Sequence, residues 1–314
     1  ITVTELLNPV ELDLENLVAN LRSLIGTKHP ILQAAAEHLF SAGGKRLRPG
    51  IVLLLSRALS PDSELSPRHR RLAEITEMIP IRPNVDALHV SQDRAIEKTF
   101  LNDHGIGTAP WAPVSGPDDF NTATQAAGTP AILKTSRFGY DGKGQIRVDA
   151  AAALEKAWLS MGAVPAVLEG FVDFEREISV IVARGLDGNS ESYVPVDNVH
   201  RDRILHTTTA PAAVDPSIAD SARSIADNLA NALDLIGLLA VEMFVTRDGE
   251  ILVNEIAPRP HNSGHWTLDA CAVSQFEQFV RAIAGLPLGD PQRHSDAVMT
   301  NLIGDEAAGW HEIR

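Results

Sequence analysis

AVEMFVTRDGEILVNEIAPRPHNSGHWT, residues 240–267, decides how the rest of the chain is read. Val241, Met243 and Val245 alternate with Glu242, Phe244 and Thr246, the period-two pattern of a strand with one buried face. Asp248-Gly249 then signals a hairpin, because a type I′ turn needs φ > 0 at both central residues. The second strand carries Ile251 and Val253 and ends on Asn254-Glu255. With Asp248-Gly249 as a two-residue loop, Arg247 faces Glu250 and Glu242 falls directly opposite Glu255. Opposed Cβ atoms lie about 5 Å apart and like charges there repel, so a cation is expected between them. Two carboxylates with Asn254 beside them form an all-oxygen set that suits Mg²⁺ better than zinc. An acidic pair on a hairpin also reads as a solvated edge. The residues that follow favour a site: Arg259, His261, Asn262, His265 and Trp266 come in quick succession, with Pro258, Pro260 and Gly264 fixing the loop. A donor-rich loop beside a metal site suits an anion.

The chain has 314 residues, of which 44% are hydrophobic, enough for two domains and a substantial core. Its net charge of −14 argues against a nucleic-acid partner, which needs clustered basic surface. An anionic ligand must then be held by a local site. One cysteine, Cys271, excludes an internal disulfide framework and a multi-cysteine zinc site, and reads as a small buried apolar residue. No leader pattern and no apolar run of membrane-spanning length is seen, so no membrane partner is expected and the cytoplasm is the expected location. The first residue is Ile1 rather than Met, which leaves the natural start open.

Residues 1–79 read as helices: Val10, Leu14, Leu17, Leu21 and Leu24 recur at helical spacing up to Gly26, and His29-Pro30 opens another. Gly43-Gly44-Lys45-Arg46-Leu47-Arg48-Pro49 sets three cations beside two glycines, which suits a diphosphate but equally a solvated turn between helices. AAAEHLFSAGGKRLRP and HRRLAEITEMI resemble the amino-terminal part of the trans-polyprenyl diphosphate synthases of the solanesyl type. That resemblance implies contacts from Lys45 and Arg48 to a diphosphate. It stops at Ile79, and the aspartate-rich DDxxD motif of that family has no counterpart, since the one Asp-Asp, Asp118-Asp119, is followed by Phe-Asn-Thr. No prenyl-chain elongation is expected.

Pro80 and Pro83 mark a junction. Helical signals return through Asp86–His104, with Gly105 as a stop. Ala131–Lys134 reads as a short strand ending in a lysine. The glycine-rich run from Ser136 to Gln145 follows; it reads as a phosphate-wrapping lid or as a plain hairpin, and lacks P-loop spacing. Further along, an Ala-rich helix over 149–161, strands over 166–172 and 174–182, a long helix over 215–236 and a last helix over 274–284 are expected, with a terminal strand over 299–304. Glu177, Ser179 and Ile181 should share one strand face. The break at Glu169–Val172 can offer backbone groups to an adenine edge, and Glu177 can accept from ribose hydroxyls. His200 on its own reads as structural.

A strand-end lysine, a glycine lid, a hinge glutamate and a carboxylate hairpin, in that order, resemble the ATP-grasp ligases. QDRAIEKTFL, FGYDGKGQ, NEIAPRPHNSGHWT and NLIG are similar to the N5-carboxyaminoimidazole ribonucleotide synthase family over about residues 80–304. The resemblance implies that Arg94 and Lys134 touch ATP phosphates and that Tyr140, Asp141, Gly142, Lys143, Gly144 and Gln145 form the lid. It implies that Glu169, Gly170, Phe171 and Val172 form the adenine hinge, with Glu177 at the ribose and His200 lining the nucleotide site. Glu242 and Glu255, with Asn254 adjacent, would hold Mg²⁺, while Arg259 and His261 would face bicarbonate and aminoimidazole ribonucleotide as the catalytic pair. The expected fold class is therefore α+β: a helical segment over 1–79, an ATP-grasp domain over 80–304, and 305–314 as the start of a further domain. The expected activity is ATP-dependent carboxylation of aminoimidazole ribonucleotide, with a homodimer as a further expectation. The rival readings are a non-catalytic Mg-ATP-binding fusion and, behind it, a prenyl synthase. The family's glycine-rich amino-terminal turn has no counterpart before Pro80 and only ten residues follow Gly304, so the substrate half is expected to be incomplete and carboxylation weak.

Overall fold

The computed structural model describes residues 11–16, 85–137 and 144–302. The chain divides into two compact units, Ile1–Arg82 and Pro83–Arg314. In the first unit, residues 11–16 are helical. The other helices expected before residue 80, with Lys45 and Arg48, lie outside the described residues.

The second unit begins with α1 (Val85–Ser91) and α2 (Arg94–Asp103). The helical pattern over 86–104 is thus cut in two. Asp93 adopts an extended conformation and its carboxylate accepts from the N–H groups of Ala95 (3.1 Å) and Ile96 (3.4 Å), capping a new helix.

One antiparallel sheet has the order β1 (Trp111–Val114), β4 (Ala166–Gly170), β2 (Ala131–Thr135), β3 (Gln145–Val148). α3 (Phe120–Ala127) and α4 (Leu154–Ser160) supply Ala123, Leu154 and Trp158 to a core with Val114, Leu133 and Leu168. The helix expected over 149–161 is shorter because Ala151–Ala153 forms a 3-10 turn first.

The second sheet is also antiparallel, in the order β10 (Ile251–Ala257), β9 (Gly237–Thr246), β5 (Phe174–Arg184), β7 (Val196–Arg201), β8 (Ile204–Ala210), β11 (Ala297–Thr300), with β6 (Ser190–Ser192) pairing further along β5. Ile178, Val180 and Val182 of β5 and Val241, Met243 and Val245 of β9 are buried in one core with Ala222, Ala226 and Leu229 of α5 (Pro216–Ala232). Strand alternation then turns Glu177, Ser179 and Ile181 to the opposite face, as the sequence pattern predicts. α6 (Thr267–Ala270) and α7 (Gln275–Ala284) complete the unit, α7 being capped by the Ser274 hydroxyl. The terminal strand starts two residues earlier than expected, and residues 303–304 lie outside the described set.

The β9–β10 hairpin corrects one expectation while keeping another. Its loop has three residues, not two. The Thr246 N–H donates to Glu250 O (2.9 Å) and the Gly249 N–H to Thr246 O (2.9 Å). Gly249 alone takes positive φ (+80°) in that loop, the arrangement of a type I turn closed by one left-handed residue. Ile251↔Val245 and Val253↔Met243 therefore pair one residue away from the expected register. A β-bulge at Asn254 then absorbs one residue and restores Glu255↔Glu242. The two one-residue differences cancel, so the carboxylate pairing survives the misread turn.

Candidate active site

The bulge explains how two consecutive residues serve one site. In a regular strand Asn254 and Glu255 would point to opposite faces. The extra residue lets both line a cavity of ≈ 550 Å³ bounded by both sheets. Arg94, Lys134, Gln145, Glu169, Gly170, Phe171, Val172, Glu177, His200, Glu242, Arg259 and His261 line it too. The cavity is thus lined by nearly every described residue singled out in the second unit. Tyr140, Asp141, Gly142 and Lys143 lie outside the described residues, and Gly144 is described but does not line the cavity. A larger depression of ≈ 720 Å³ between α5 and the β9–β10 turn contains none of them.

At the floor, Lys134 Nζ donates to Glu169 Oε2 (2.9 Å) and to Asn254 Oδ1 (3.2 Å). Lys98 Nζ meets the same Glu169 oxygen at 3.3 Å and donates to Asn254 O (3.3 Å). Burial pushes the Glu169 carboxyl up, but Lys134 and Lys98 outweigh it and hold the group below its ordinary value. Burial holds the Lys98 ammonium below its ordinary value despite Glu169. Glu169 Oε1 is buried without a partner, an unmet acceptor beside the cavity. Glu169 therefore turns its carboxylate to two lysines.

The rest of the expected adenine hinge is partly committed as well. The N–H of Gly170 donates to Pro110 O (2.8 Å) and that of Phe171 to Pro130 O (3.0 Å). Glycine is required at 170 by close approach, since a Cβ there would lie 2.5 Å from Ala127 O.

Arg94 Nη1 donates to Glu255 Oε2 (2.8 Å). Burial pushes the Glu255 carboxyl up, but Arg94 outweighs it and keeps the group below its usual value. On the same helix, Glu97 is 3% exposed and its Oε1 has no partner. Burial, reinforced by Glu255, drives its pKa up to about 8. Within the protein itself, Glu255 is partnered by Arg94 and Glu242 by His261.

His261 Nε2 lies 2.9 Å from Glu242 Oε1. Its Nδ1 faces the Ser263 N–H (3.3 Å) and the Ser263 hydroxyl (2.9 Å). A backbone N–H can only donate, so Nδ1 accepts and the ring proton sits on Nε2, aimed at Glu242. Behind Ser263 a buried polar chain crosses the second sheet. Thr208 donates to Asn198 Oδ1 (2.9 Å), Asn198 Nδ2 to Ser179 Oγ (2.8 Å), and the Ser179 hydroxyl to Ser263 Oγ (2.8 Å). Gln275 clamps the His261 backbone from both sides, accepting from its N–H (2.9 Å) and donating to its carbonyl (2.8 Å). Arg259 Nη1 donates to Pro260 O (3.0 Å). At the far end of the cavity His200 Nδ1 pairs with Glu177; burial pushes the imidazole down, but Glu177 prevails and raises it above its ordinary value.

Sequence reasoning missed Glu97, Lys98, Arg203 and the polar chain. Arg94, Glu97, Lys98 and Leu101 recur at i, i+3, i+4 and i+7, so three charged residues occupy the stripe that an amphipathic helix normally keeps apolar. That signal was available for α2. The polar chain joins residues far apart in sequence and leaves no local pattern.

A pair of antiparallel sheets over a cleft of paired cations and carboxylates defines the class, and a family model described as the ATP-grasp domain matches residues 99–276. The chain belongs to the ATP-grasp family. Its relatives include the N5-carboxyaminoimidazole ribonucleotide synthases of Brucella melitensis, 51% identical and covering 74% of this chain and 65% of that protein, and of Bacillus subtilis, 42% identical and covering 76% and 67%. Among solved structures, an ADP complex of N5-carboxyaminoimidazole ribonucleotide synthetase superposes with a TM-score of 0.69 at 40% identity, covering 73% of this chain and 60% of that one. The Aspergillus clavatus enzyme in complex with ADP and 5-aminoimidazole ribonucleotide gives 0.66 at 30% identity, covering 74% and 62%. The chain thus spans about two thirds of the length of these relatives, or somewhat less. A second family model, polyprenyl synthetase, matches residues 29–81.

Proposed function

We propose that this chain binds Mg-ATP in the cleft between its two sheets and serves ATP-dependent carboxylation of aminoimidazole ribonucleotide. The observation that carries the reading is the bulged hairpin, which turns Glu255 and Asn254 into the cavity together and sets Glu255 opposite Glu242. Among the described residues no three His, Cys, Asp or Glu side chains form a metal cage. Two carboxylates and an amide oxygen fit Mg²⁺, which takes one or two protein carboxylates and completes its shell with waters and substrate phosphates. When bound, the ion would neutralise charge on the β- and γ-phosphates.

In this reading bicarbonate oxygen attacks the γ-phosphorus, ADP leaves, and carboxyphosphate forms. The 5-amino nitrogen of the ribonucleotide then attacks the carboxyl carbon and phosphate departs. Such chemistry needs positioning and charge stabilisation, not a protein nucleophile. Arg94 and Lys134, each held by a carboxylate at the cleft, have the charge and place to receive phosphate oxygens. Arg259 and His261 stand on the loop beyond the hairpin, where the anion would sit, with the His261 Nε2–H oriented by Ser263. The unmet oxygen of Glu169 offers an acceptor to a ligand donor. A cytoplasmic location and a homodimer belong to the same reading.

The test is phosphate release from ATP, with and without bicarbonate and aminoimidazole ribonucleotide. Release that rises with both supports the reading. Tight Mg-ATP binding with no bicarbonate-dependent release would assign the chain to a non-catalytic nucleotide-binding role.

A further inference from the structure

The turn between β7 and β8 holds a residue that its geometry does not favour. Arg201 pairs with Ile204, leaving Asp202-Arg203 as a two-residue loop. Both have positive φ, +50° and +67°, the type I′ conformation. Asparagine or aspartate suits the first position and glycine the second. An arginine in the left-handed region is strained by contact between its Cβ and the following carbonyl. Strain of this kind persists where the surroundings or a function require it.

Arg203 lines the same cavity as Arg94 and Lys134. Its Nη1 reaches from the second sheet to the first and donates to Gln145 O (3.2 Å). Gln145 is the direct partner of Lys134 in the β2–β3 ladder, so the guanidinium stands one strand from the lysine at the phosphate end of the cleft. A planar fork of N–H donors there matches phosphate oxygens in a way that the turn itself does not call for.

We propose that Arg203 is a nucleotide-contacting residue, kept in a strained turn so that its guanidinium grips the polyphosphate of the bound nucleoside triphosphate from the β7–β8 side. The proposal rests on the Mg-ATP reading above. It makes stability and binding move in opposite directions. Arg203→Gly relieves the strain and removes the guanidinium, so its melting temperature should equal or exceed that of the parent chain. Its Kd for Mg-ATP should rise about tenfold, with adenosine affinity unchanged. Arg203→Lys, still strained but cationic, should recover part of the Mg-ATP affinity. Calorimetry on all three proteins with Mg-ATP and adenosine, beside thermal melts, provides the readouts. Equal Mg-ATP affinity for the parent and Arg203→Gly overturns the proposal. So does a lower melting temperature with parallel losses for adenosine and Mg-ATP, which would mark Arg203 as a structural tie. If the parent chain binds neither ligand, the nucleotide reading itself falls and this proposal with it.

Discussion

Glu97 and Glu255 are two glutamates in one electrostatic neighbourhood with opposite fates. Both pay for burial, but Glu255 has Arg94 against it, whereas Glu97 has an unpartnered oxygen and is pushed up to about 8. The folded value of Glu97 lies above its ordinary 4.5, so across that interval the folded state keeps a proton that the unfolded state has released. Its contribution to stability is full below about 4.5 and declines as pH rises towards about 8. Glu97→Gln imitates the protonated form. In the nucleotide-free protein it is expected to stabilise by about 1 kcal/mol or more near pH 8 and by little near pH 4.5, as followed by urea titration at several pH values. An equal effect at both pH values would show that Glu97 does not titrate between them. For Glu255 the expectation concerns the ligand: Glu255→Gln should weaken Mg-ATP by at least ~10-fold, about 1.4 kcal/mol, and equal affinity in titration calorimetry would remove the hairpin from the site.

The loop after the hairpin is held as an element, not residue by residue. A Cβ on Gly264 would lie 2.2 Å from Ile181 Cδ1 and 2.6 Å from Gln275 Oε1, the oxygen that accepts from the His261 N–H. Gly264→Ala must displace Gln275 or the β5 face. It is expected to cost about 1–3 kcal/mol in denaturant unfolding, the range for overpacking, and to release His261 from its clamp. A ¹⁵N spectrum of the ring should then lose the single Nε2–H tautomer that Ser263 imposes; an unchanged spectrum and stability would show that the loop can give way locally.

Across the whole second unit, Lys98 ties the two sheets together behind the cleft. Its buried ammonium spans from Glu169 on β4 to the bulge carbonyl of Asn254 on β10, which lies 156 residues beyond Lys98 in the chain. Removing one partner of a buried ion pair is costly because the other is left charged in a low-dielectric setting. Here Lys134 still serves Glu169, so Lys98→Met is expected to cost about 3 kcal/mol, the low end for breaking a buried ion pair, and to loosen Mg-ATP binding as the sheets lose their common anchor. Unfolding and calorimetry with full affinity retained would show the cleft to be set by the sheets alone. At the same scale, the resemblance over residues 29–81 is not expected to bring prenyl transfer. Incubation with isopentenyl and farnesyl diphosphates and Mg²⁺ should yield no longer chain, and any elongated product would overturn that expectation.

Local pattern was enough to place the β9–β10 hairpin, the strand-end Lys134, the break after β4 and the donor-rich loop, because strand alternation, turn residues and loop prolines act over a few neighbours. It even paired Glu242 with Glu255, although the loop was one residue longer and Asn254 bulged to compensate. Neither the bulge nor the loop length follows from Asp248-Gly249 alone, since a glycine with positive φ closes a three-residue loop as well as a two-residue one. The charged stripe on α2 pointed to Glu97 and Lys98, but tertiary structure alone decided which partners bury them, that Glu169 faces lysines, and that Thr208, Asn198, Ser179 and Ser263 orient His261. These are contacts between groups distant in sequence. Their energies come from desolvation and from which partner fills each buried valence, and only the packing of one sheet over the other specifies those.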